Sequence, residues 1–198
     1  MFPRAAKDAS EIIWVETDSH YVFHFGNSWD YTEDGTDFVV FYAVVWSDLD
    51  LSFEQKETFE IENQTFEQFV INLTTKEIKR SVVVDFKSNM EFPMFAQDLT
   101  GYKSRYCYLP TKEPSLKAHD KHSQQFDCLI KIDLETGNVV QKTIPNEAQT
   151  FGEVYFQPRD SSQSEDDGYL MTTIYDSSLE KSFFVLWDAK TLAVVTKV

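Results

Sequence analysis

The stretch LIKIDLETGNVVQKTI at 129–144 is the clearest indication of the fold. An apolar run ends at Asp133, a short turn with Thr136 three residues later follows, and a second strand-like run begins. An aspartate side chain can accept hydrogen bonds from the backbone N–H groups just ahead of it and thereby set a turn. The stretch therefore predicts a β-hairpin whose turn is organised by Asp133.

The same arrangement occurs twice more in the chain. FVINLTTKEIKRSVV at 69–83 carries Asn72 at the turn, and FVLWDAKTLAVVTKV at 184–198 carries Asp188. The three turn residues are 61 and 55 residues apart. Recurrence of one hairpin at such a period favours radial β-repeats, in which blades of roughly four strands surround an axis.

The rest of the chain is a series of short apolar runs separated by turn residues, which favours an all-β fold. YVFHF at 21–25 is one such run, and 47–60 could hold a helical turn or an irregular connection. We predict a single domain over 1–198 that forms about three blades of a β-propeller. Propellers close with roughly four to eight blades, so the chain is part of a larger propeller or closes by another route. A twisted sandwich with similar hairpins is the alternative.

Composition excludes several classes of function. The chain has 198 residues, is 42% hydrophobic and 15% aromatic, and carries a net charge of −15. Nucleic-acid binding is not expected, because phosphate neutralisation needs clustered Lys and Arg. The two cysteines, Cys107 and Cys128, lack the spacing of a zinc site or a disulfide framework, so a reducing compartment such as the cytoplasm is expected. The first residues, MFPRAAKDASEIIW, form neither a secretory signal nor a membrane span.

His24 is the first candidate for chemistry, in the stretch FHFGNSWD. On an alternating strand, Val22, His24 and Gly26 share one face and the flanking phenylalanines share the other. The innermost strands of a propeller line its axis, and a histidine there can bind a metal when its second nitrogen is oriented by a carboxylate or a carbonyl. A structural histidine satisfied by a hydrogen bond is the alternative.

Two carboxylates stand out from the many acidic residues. Glu91 lies within MEFPMF and Glu153 begins EVYFQP, and both adjoin apolar, aromatic segments. A buried charge is costly without a partner. A hydrogen bond to a metal-bound imidazole would provide that partner, and a strand-edge glutamate that faces water is the alternative.

The remaining motifs favour structural roles. His20 precedes the strand of His24, and His119 and His122 lie in a polar insertion that reads as a solvated loop. SEDDG at 164–168 reads as a turn in which Gly168 supplies a permissive backbone.

Taken in order, the motifs resemble the carotenoid cleavage oxygenase family, which includes carotenoid, apocarotenoid and lignostilbene dioxygenases and the retinal pigment epithelial membrane proteins. The resemblance covers most of the chain. It is carried by FPRAAKDASEIIWVE at 2–16, YVFHFGNSWD at 21–30, MEFPMFAQDLTGYKSRYCY at 90–108, FDCLIKIDLETG at 126–137, GEVYFQPRDSSQSEDDGYLMTTIYD at 152–176 and FFVLWDAKTLAVVTKV at 183–198.

The resemblance implies a seven-bladed β-propeller in which four histidines hold a non-haem Fe(II) on the axis. Three glutamates orient three of those histidines. The implied reaction is oxidative cleavage of a C=C double bond in a lipophilic polyene or a stilbene by O2, which gives two carbonyl products.

Carried over residue by residue, the resemblance makes His24 the third iron ligand and Glu91 the glutamate that orients it. Glu153 becomes the glutamate that orients the fourth ligand. The first two ligands belong to an N-terminal half that this sequence does not contain, and the fourth follows the DAKTL hairpin, beyond Val198. One of four ligands is thus present, and no further catalytic side chain is implied. Ser28, Trp29 and Asp30 replace the family's Ala-x-Glu.

We therefore expect a fragment of an Fe(II) dioxygenase that is inactive alone and binds no stoichiometric iron. A truncated, non-enzymatic partial propeller that acts as an interaction module is the alternative, because its exposed terminal strand edges would favour pairing with another chain. Phe92, Phe95 and Phe151 could line a substrate tunnel, although core packing is the simpler use. The complete enzyme could associate with a membrane, and it would be plastidic if a missing N-terminus carried a transit peptide.

Overall fold

Twelve strands carry the fold in the computed structural model, which describes residues 1–47, 64–84, 88–112, 126–144 and 148–198. The strands are β1 (Phe25–Glu33), β2 (Thr36–Trp46), β3 (Gln64–Asn72), β4 (Ile78–Val84), β5 (Tyr106–Thr111), β6 (Cys128–Asp133), β7 (Asn138–Thr143), β8 (Gln149–Phe151), β9 (Tyr155–Pro158), β10 (Gly168–Asp176), β11 (Lys181–Asp188) and β12 (Val194–Lys197). Short 3-10 helices cover Ala9–Glu11 and Gln97–Leu99. Neither helix of the described ranges has the length or the apolar content that a membrane crossing requires.

The strands form three consecutive antiparallel sheets, which we call the first, second and third blades. The first blade has the order β1-β2-β3-β4, and the second has β5-β6-β7. An edge segment at 90–94 adds a fourth member to the second blade, because Met90 bridges Thr111 and Met94 bridges Tyr108. The third blade has the order β12-β11-β10-β8, with β9 paired to the other half of β10. Three blades of about four strands confirm the predicted all-β partial propeller.

The hairpin turns form as the sequence predicts. In each turn the Asx side chain accepts hydrogen bonds from the N–H groups two and three residues ahead. The residue four positions after the Asx residue has a left-handed backbone. The bonds join Asn72 to Thr74 and Thr75 (2.9 and 2.9 Å), Asp133 to Glu135 and Thr136 (3.0 and 3.3 Å), and Asp188 to Lys190 and Thr191 (3.1 and 2.9 Å). The left-handed residues are Lys76, Gly137 and Leu192, with φ of 63°, 70° and 56°.

A fourth turn of this design, which the sequence did not predict, joins β10 to β11. Asp176 accepts from the N–H groups of Ser178 and Leu179 at 3.1 and 3.2 Å, and Glu180 has a φ of 52°. This turn has Leu179 where the other three have threonine, so the repeat of threonine did not reveal it.

Two expectations about the segment around His24 are wrong. YVFHF does not form a strand throughout: Tyr21 makes an isolated bridge with Trp46, and β1 begins only at Phe25. His24 itself lies outside β1, and a register shift between Phe25 and Ser28 marks a bulge just after it, so the alternation expected for Val22, His24 and Gly26 does not hold. Of the stretch at 47–60, residues 48–60 lie outside the described residues.

Gly168 is required for a reason other than the predicted one. Its φ is not in the left-handed region. Instead, a Cβ there would lie 2.6 Å from the carbonyl oxygen of Gln157 and 2.5 Å from the ring of Phe156. The glycine therefore allows β9 to approach β10 closely.

The core lies between neighbouring blades. Side chains of the first and second blades form one buried cluster, and those of the second and third form another. A buried ion pair also joins the second and third blades, with 2.7 Å between Nζ of Lys131 and the carboxylate of Asp166. Burial alone would raise the pKa of Asp166, but hydrogen bonds from Lys131 and Ser164 bring that pKa below its ordinary value.

Candidate functional site

His24 and Glu91 meet at the boundary between the first two blades. His24 directly precedes β1, the first strand of its blade, and Glu91 lies in the edge segment of the next blade. Nδ1 of His24 is 3.0 Å from Oε2 of Glu91. A carboxylate only accepts hydrogen bonds, so Nδ1 carries a proton, and in the neutral imidazole Nε2 then carries the lone pair. Nε2 makes no hydrogen bond to any residue that the structure describes, and the side chain is 45% exposed. The arrangement leaves one imidazole nitrogen available to a ligand.

The carboxylate of Glu91 is itself fixed by two further donors. The indole Nε1 of Trp46 donates to Oε1 at 2.8 Å, and the backbone N–H of Phe92 donates to Oε2 at 3.4 Å. The side chain of Glu91 is 9% exposed. Because both oxygens are engaged, rotation of the carboxylate is restricted and the direction of its bond to His24 is set.

Phe92 contacts the same imidazole as Glu91 does. Its ring centroid is 4.6 Å from that of His24. Neighbouring residues of a regular strand point to opposite faces, whereas Phe92 has a left-handed backbone, with a φ of 58°. Such a conformation costs about 1–3 kcal/mol for a residue other than glycine and is concentrated at functional sites. The strained backbone thus coincides with two consecutive side chains that contact one histidine.

Asn27, which lies within the bulge of β1, contacts the same boundary between the blades. Its Nδ2 donates to the carbonyl oxygens of Leu99 and Tyr102 at 3.0 and 2.7 Å and to Oγ of Ser104 at 3.2 Å. Its Oδ1 accepts from the backbone N–H groups of Ser28 and Gly101 at 2.9 and 3.3 Å. One buried amide therefore ties β1 to the loop before β5.

Gly26 allows the two blades to approach each other next to His24. A Cβ at this position would lie 2.4 Å from the ring of Phe95, which is a buried residue of the second blade. Phe95 and Phe151 are 6% and 5% exposed and belong to the blade–blade clusters. They therefore serve core packing, and only Phe92 of the three phenylalanines contacts the candidate ligand.

Glu153 lies apart from this pair, in the connection between β8 and β9 of the third blade. Its side chain is exposed, and its backbone carbonyl accepts from Oγ1 of Thr172 at 2.7 Å. No side chain within the described ranges bonds its carboxylate. His24, Glu91 and Glu153 thus belong to three consecutive blades, and only His24 and Glu91 are in contact.

The other histidines do not join His24. Nδ1 of His20 is bonded to the carbonyl of Asp18 at 2.7 Å, and its ring lies against Phe69. His119 and His122 lie outside the described residues. In the part of the chain that the structure describes, no three or more His, Cys, Asp or Glu side chains are grouped to hold a metal ion. His24 fits the role of a single ligand, and the described residues do not supply a full set.

Trp46 and Asn27 contribute to the site although the sequence patterns did not predict either of them. Trp46 ends an apolar run in which any large apolar side chain would fit the pattern. Its hydrogen-bond partner lies 45 positions away, so no local pattern reveals the bond. In the sequence, Asn27 is a polar residue between His24 and an aromatic stretch. That setting is the signal from which a buried amide could have been predicted.

Sequence comparisons relate the whole chain to one protein family. The family model described as retinal pigment epithelial membrane protein matches residues 1–198. A zeaxanthin 7,8(7',8')-cleavage dioxygenase of Crocus sativus is 27% identical over 197 residues, which are 96% of this chain and 49% of the relative. The apocarotenoid-15,15'-oxygenase of Synechocystis is 25% identical over 187 residues, which are 93% of this chain and 36% of the relative. The chain thus spans about half or less of the length of these relatives.

Solved structures give the same fold. The crystal structure of cobalt-substituted Synechocystis ACO superposes with a TM-score of 0.74 at 22% identity, covering 92% of this chain and 37% of that one. An ACO/RPE65 chimera superposes with the same TM-score of 0.74 at 21% identity.

Proposed function

Because this chain belongs to the retinal pigment epithelial membrane protein family, we propose that residues 1–198 form one partial propeller domain of an Fe(II)-dependent dioxygenase. The longer enzyme would cleave a C=C double bond of a carotenoid, an apocarotenoid or a stilbene with O2. The names of the Crocus sativus and Synechocystis relatives support the carotenoid and apocarotenoid classes.

The observation that carries the proposal is the hydrogen bond between Nδ1 of His24 and the carboxylate of Glu91. Metal-binding histidines typically donate their other ring N–H to a carboxylate, which fixes the tautomer and the ring orientation. Here that arrangement leaves Nε2 of His24 to bind the metal. Fe(II) held by His24 together with three histidines from outside this chain would supply the centre at which O2 is activated.

The residues of this chain would orient the ligand and provide an apolar wall. Glu91 holds the proton on Nδ1 of His24, and Trp46 and Phe92 hold the carboxylate of Glu91. The ring of Phe92 packs beside the imidazole, where it would exclude water from one side and face a lipophilic substrate. Glu153 would orient a further histidine from the longer protein in the same way.

The open face of the third blade supports its continuation into a larger propeller. Tyr155, Tyr175 and Phe184 lie on one face of this sheet, as the strand register shows, and each is more than a third exposed. On the opposite face, Leu170 and Ile174 are buried against the second blade. Blades of a propeller pack through both faces, so a fourth blade would cover the exposed aromatic side chains.

The relatives named as chromoplastic or chloroplastic, from Crocus sativus and Arabidopsis thaliana, support a plastid location for the longer protein. This is the alternative to the cytoplasm that the sequence left open. Association with a membrane would help such an enzyme to extract its lipophilic substrate.

The test is to sequence the reading frame on both sides of this segment and to assay the encoded protein. We expect two strand-borne histidines upstream, a further histidine downstream of the DAKTL hairpin, and O2-dependent conversion of a carotenoid or an apocarotenoid into carbonyl products. In-frame stop codons on both sides would contradict the proposal and would favour a non-enzymatic partial propeller.

A further inference from the structure

We propose that Trp46 is a positioning residue, whose indole N–H holds the carboxylate of Glu91 so that the carboxylate in turn holds His24 in one tautomer. The proposal rests on the proposed function for its consequence at iron, but its structural content concerns only residues of this chain. The bond from Nε1 of Trp46 to Oε1 of Glu91 is 2.8 Å long and spans 45 residues.

The orientation of Trp46 is set from several directions. Trp46 is the last residue of β2, and its backbone exchanges two hydrogen bonds with Tyr21, both of 2.9 Å. Its ring meets the ring of Phe23 edge to face, with centroids 5.6 Å apart. An indole restrained by backbone and aromatic contacts donates in one direction only. Trp46 is therefore suited to fix the position of an acceptor.

The neighbouring strand reinforces the same boundary. Gln64 is the cross-strand partner of Trp46, and its side chain accepts from the backbone N–H of Met90 at 2.6 Å. Two adjacent side chains of the first blade thus bond two consecutive residues of the second, Met90 and Glu91. The edge segment that carries Glu91 is held in register with the blade that carries His24.

The two oxygens of Glu91 have separate tasks. Oε1 accepts from Trp46, whereas Oε2 accepts from His24 and from the backbone N–H of Phe92. Without the indole, no other donor in the described residues bonds Oε1, so the largely buried carboxylate would rotate or move to find one. That movement would weaken the bond to Nδ1 of His24 and free the imidazole to adopt the other tautomer.

The test compares the ring ¹⁵N chemical shifts of His24 in the 198-residue chain, at a pH at which the imidazole is neutral, for the wild type and Trp46→Phe. We expect the wild type to hold the proton on Nδ1. We expect Trp46→Phe to lower the ratio of the Nδ1–H to the Nε2–H tautomer by about 3- to 10-fold. Loss of the direct hydrogen-bond partner of a metal ligand typically lowers metal affinity by about 10- to 100-fold, and Trp46 acts one residue further away. Trp29→Phe is the matched control, because the indole of Trp29 packs against Tyr42 in the same blade and bonds no carboxylate in the described residues.

A double-mutant cycle separates positioning from general packing. In a Glu91→Leu background, Trp46→Phe should leave the tautomer ratio unchanged, because the carboxylate through which it acts is gone. An equal effect of Trp46→Phe in both backgrounds, or no effect in the wild-type background, would overturn the proposal.

A second measurement covers the case in which Trp46→Phe fails to fold. The indole N–H resonance of Trp46 is followed in the wild type and in Glu91→Leu, with that of Trp29 as the reference. We expect the Trp46 proton to be downfield and protected from exchange in the wild type, and to move upfield and exchange faster in Glu91→Leu. An unchanged resonance would refute the bond. Neither readout involves iron, so failure of the dioxygenase proposal and failure of this one give different results.

Discussion

Nδ1 of His24 and Oε2 of Glu91 lie 3.0 Å apart although the two residues belong to different blades. The candidate site therefore exists only while the first and second blades hold one relative position. Contacts that fix this boundary act on the site without touching the imidazole, and several of them can be tested individually.

Asn27→Ala removes the side chain that ties β1 to the loop before β5. The change deletes hydrogen bonds to three acceptors, one of which is the hydroxyl of the buried Ser104, and it removes the acceptor of the Gly101 N–H. We expect the free energy of unfolding to fall by about 2–4 kcal/mol, given that a buried group left unsatisfied costs about 1–3 kcal/mol in addition to the lost bonds. Urea denaturation measures the change.

Asn138→Ala is the control for that variant, because Asn138 is exposed at the start of β7 and lies away from the boundary. It should change the unfolding free energy by less than about 0.5 kcal/mol. Equal effects of the two substitutions would show that Asn27 does not join the blades.

Gly26→Ala places a methyl group where the ring of Phe95 lies, 2.4 Å from the new Cβ. The ring is buried between blades and cannot swing into solvent, so we expect a loss of about 1–3 kcal/mol from overpacking. Gly152→Ala is the matched control, since a Cβ there meets only Oγ1 of Thr173, at 3.7 Å. Thermal unfolding that is equal for the two variants would contradict the close packing at Gly26.

More of the fold than of the candidate site could be predicted from the sequence. The hairpin turns are predictable from local sequence, because an Asx side chain and a threonine three residues later bond neighbouring N–H groups. The Asx residues are Asn72, Asp133 and Asp188. The contacts at the site join residues that are 45 and 67 positions apart. Such contacts depend on how whole blades stack. The pairing of His24 with Glu91 was expected from a family resemblance, and no rule of spacing predicts it.

The buried pair of Lys131 and Asp166 shows the same limit. Lys131 interrupts an apolar run, which reads as a solvent-facing position on an alternating strand. In the structure its ammonium group is enclosed by the third blade and lies 4.2 Å from the centroid of the Tyr106 ring. Only the packing of a neighbouring blade could reveal the partner.

Stability should fall in acid, in part through Asp166. Its pKa in the folded protein lies below the ordinary value, since the bonds from Lys131 and Ser164 outweigh the effect of burial. The unfolded chain therefore binds the proton more readily. The contribution of Asp166 is fully present above about pH 4 and is lost as the pH falls through the lower folded pKa.

Urea unfolding between pH 6 and pH 3 measures this dependence. Asp166→Asn should lower stability at pH 6, by about 3 kcal/mol if the buried lysine is left without an opposite charge, and should make the acid-induced loss shallower. Asp30→Asn, at an exposed position of β1, should leave the slope almost unchanged. A steeper loss in Asp166→Asn would contradict the ion pair.

Tyr108→Phe should not destabilise the protein. The hydroxyl of Tyr108 is buried and has no hydrogen-bond partner among the described residues, and burial raises its pKa well above the usual range. Removing an unpaired polar atom while keeping the ring should be neutral or should stabilise by about 1 kcal/mol. A fall of more than about 1 kcal/mol in chemical denaturation would reveal a partner for the hydroxyl.

Iron content tests the central claim most directly. It is measured on the protein encoded by the full reading frame around these residues, for the wild type, His24→Ala and His20→Ala. We predict about one iron per chain in the wild type and in His20→Ala. We predict a loss of most of the iron in His24→Ala, because one of four imidazole ligands is removed. Full retention of iron in His24→Ala would contradict the assignment of His24 as a ligand and, with it, the proposed site.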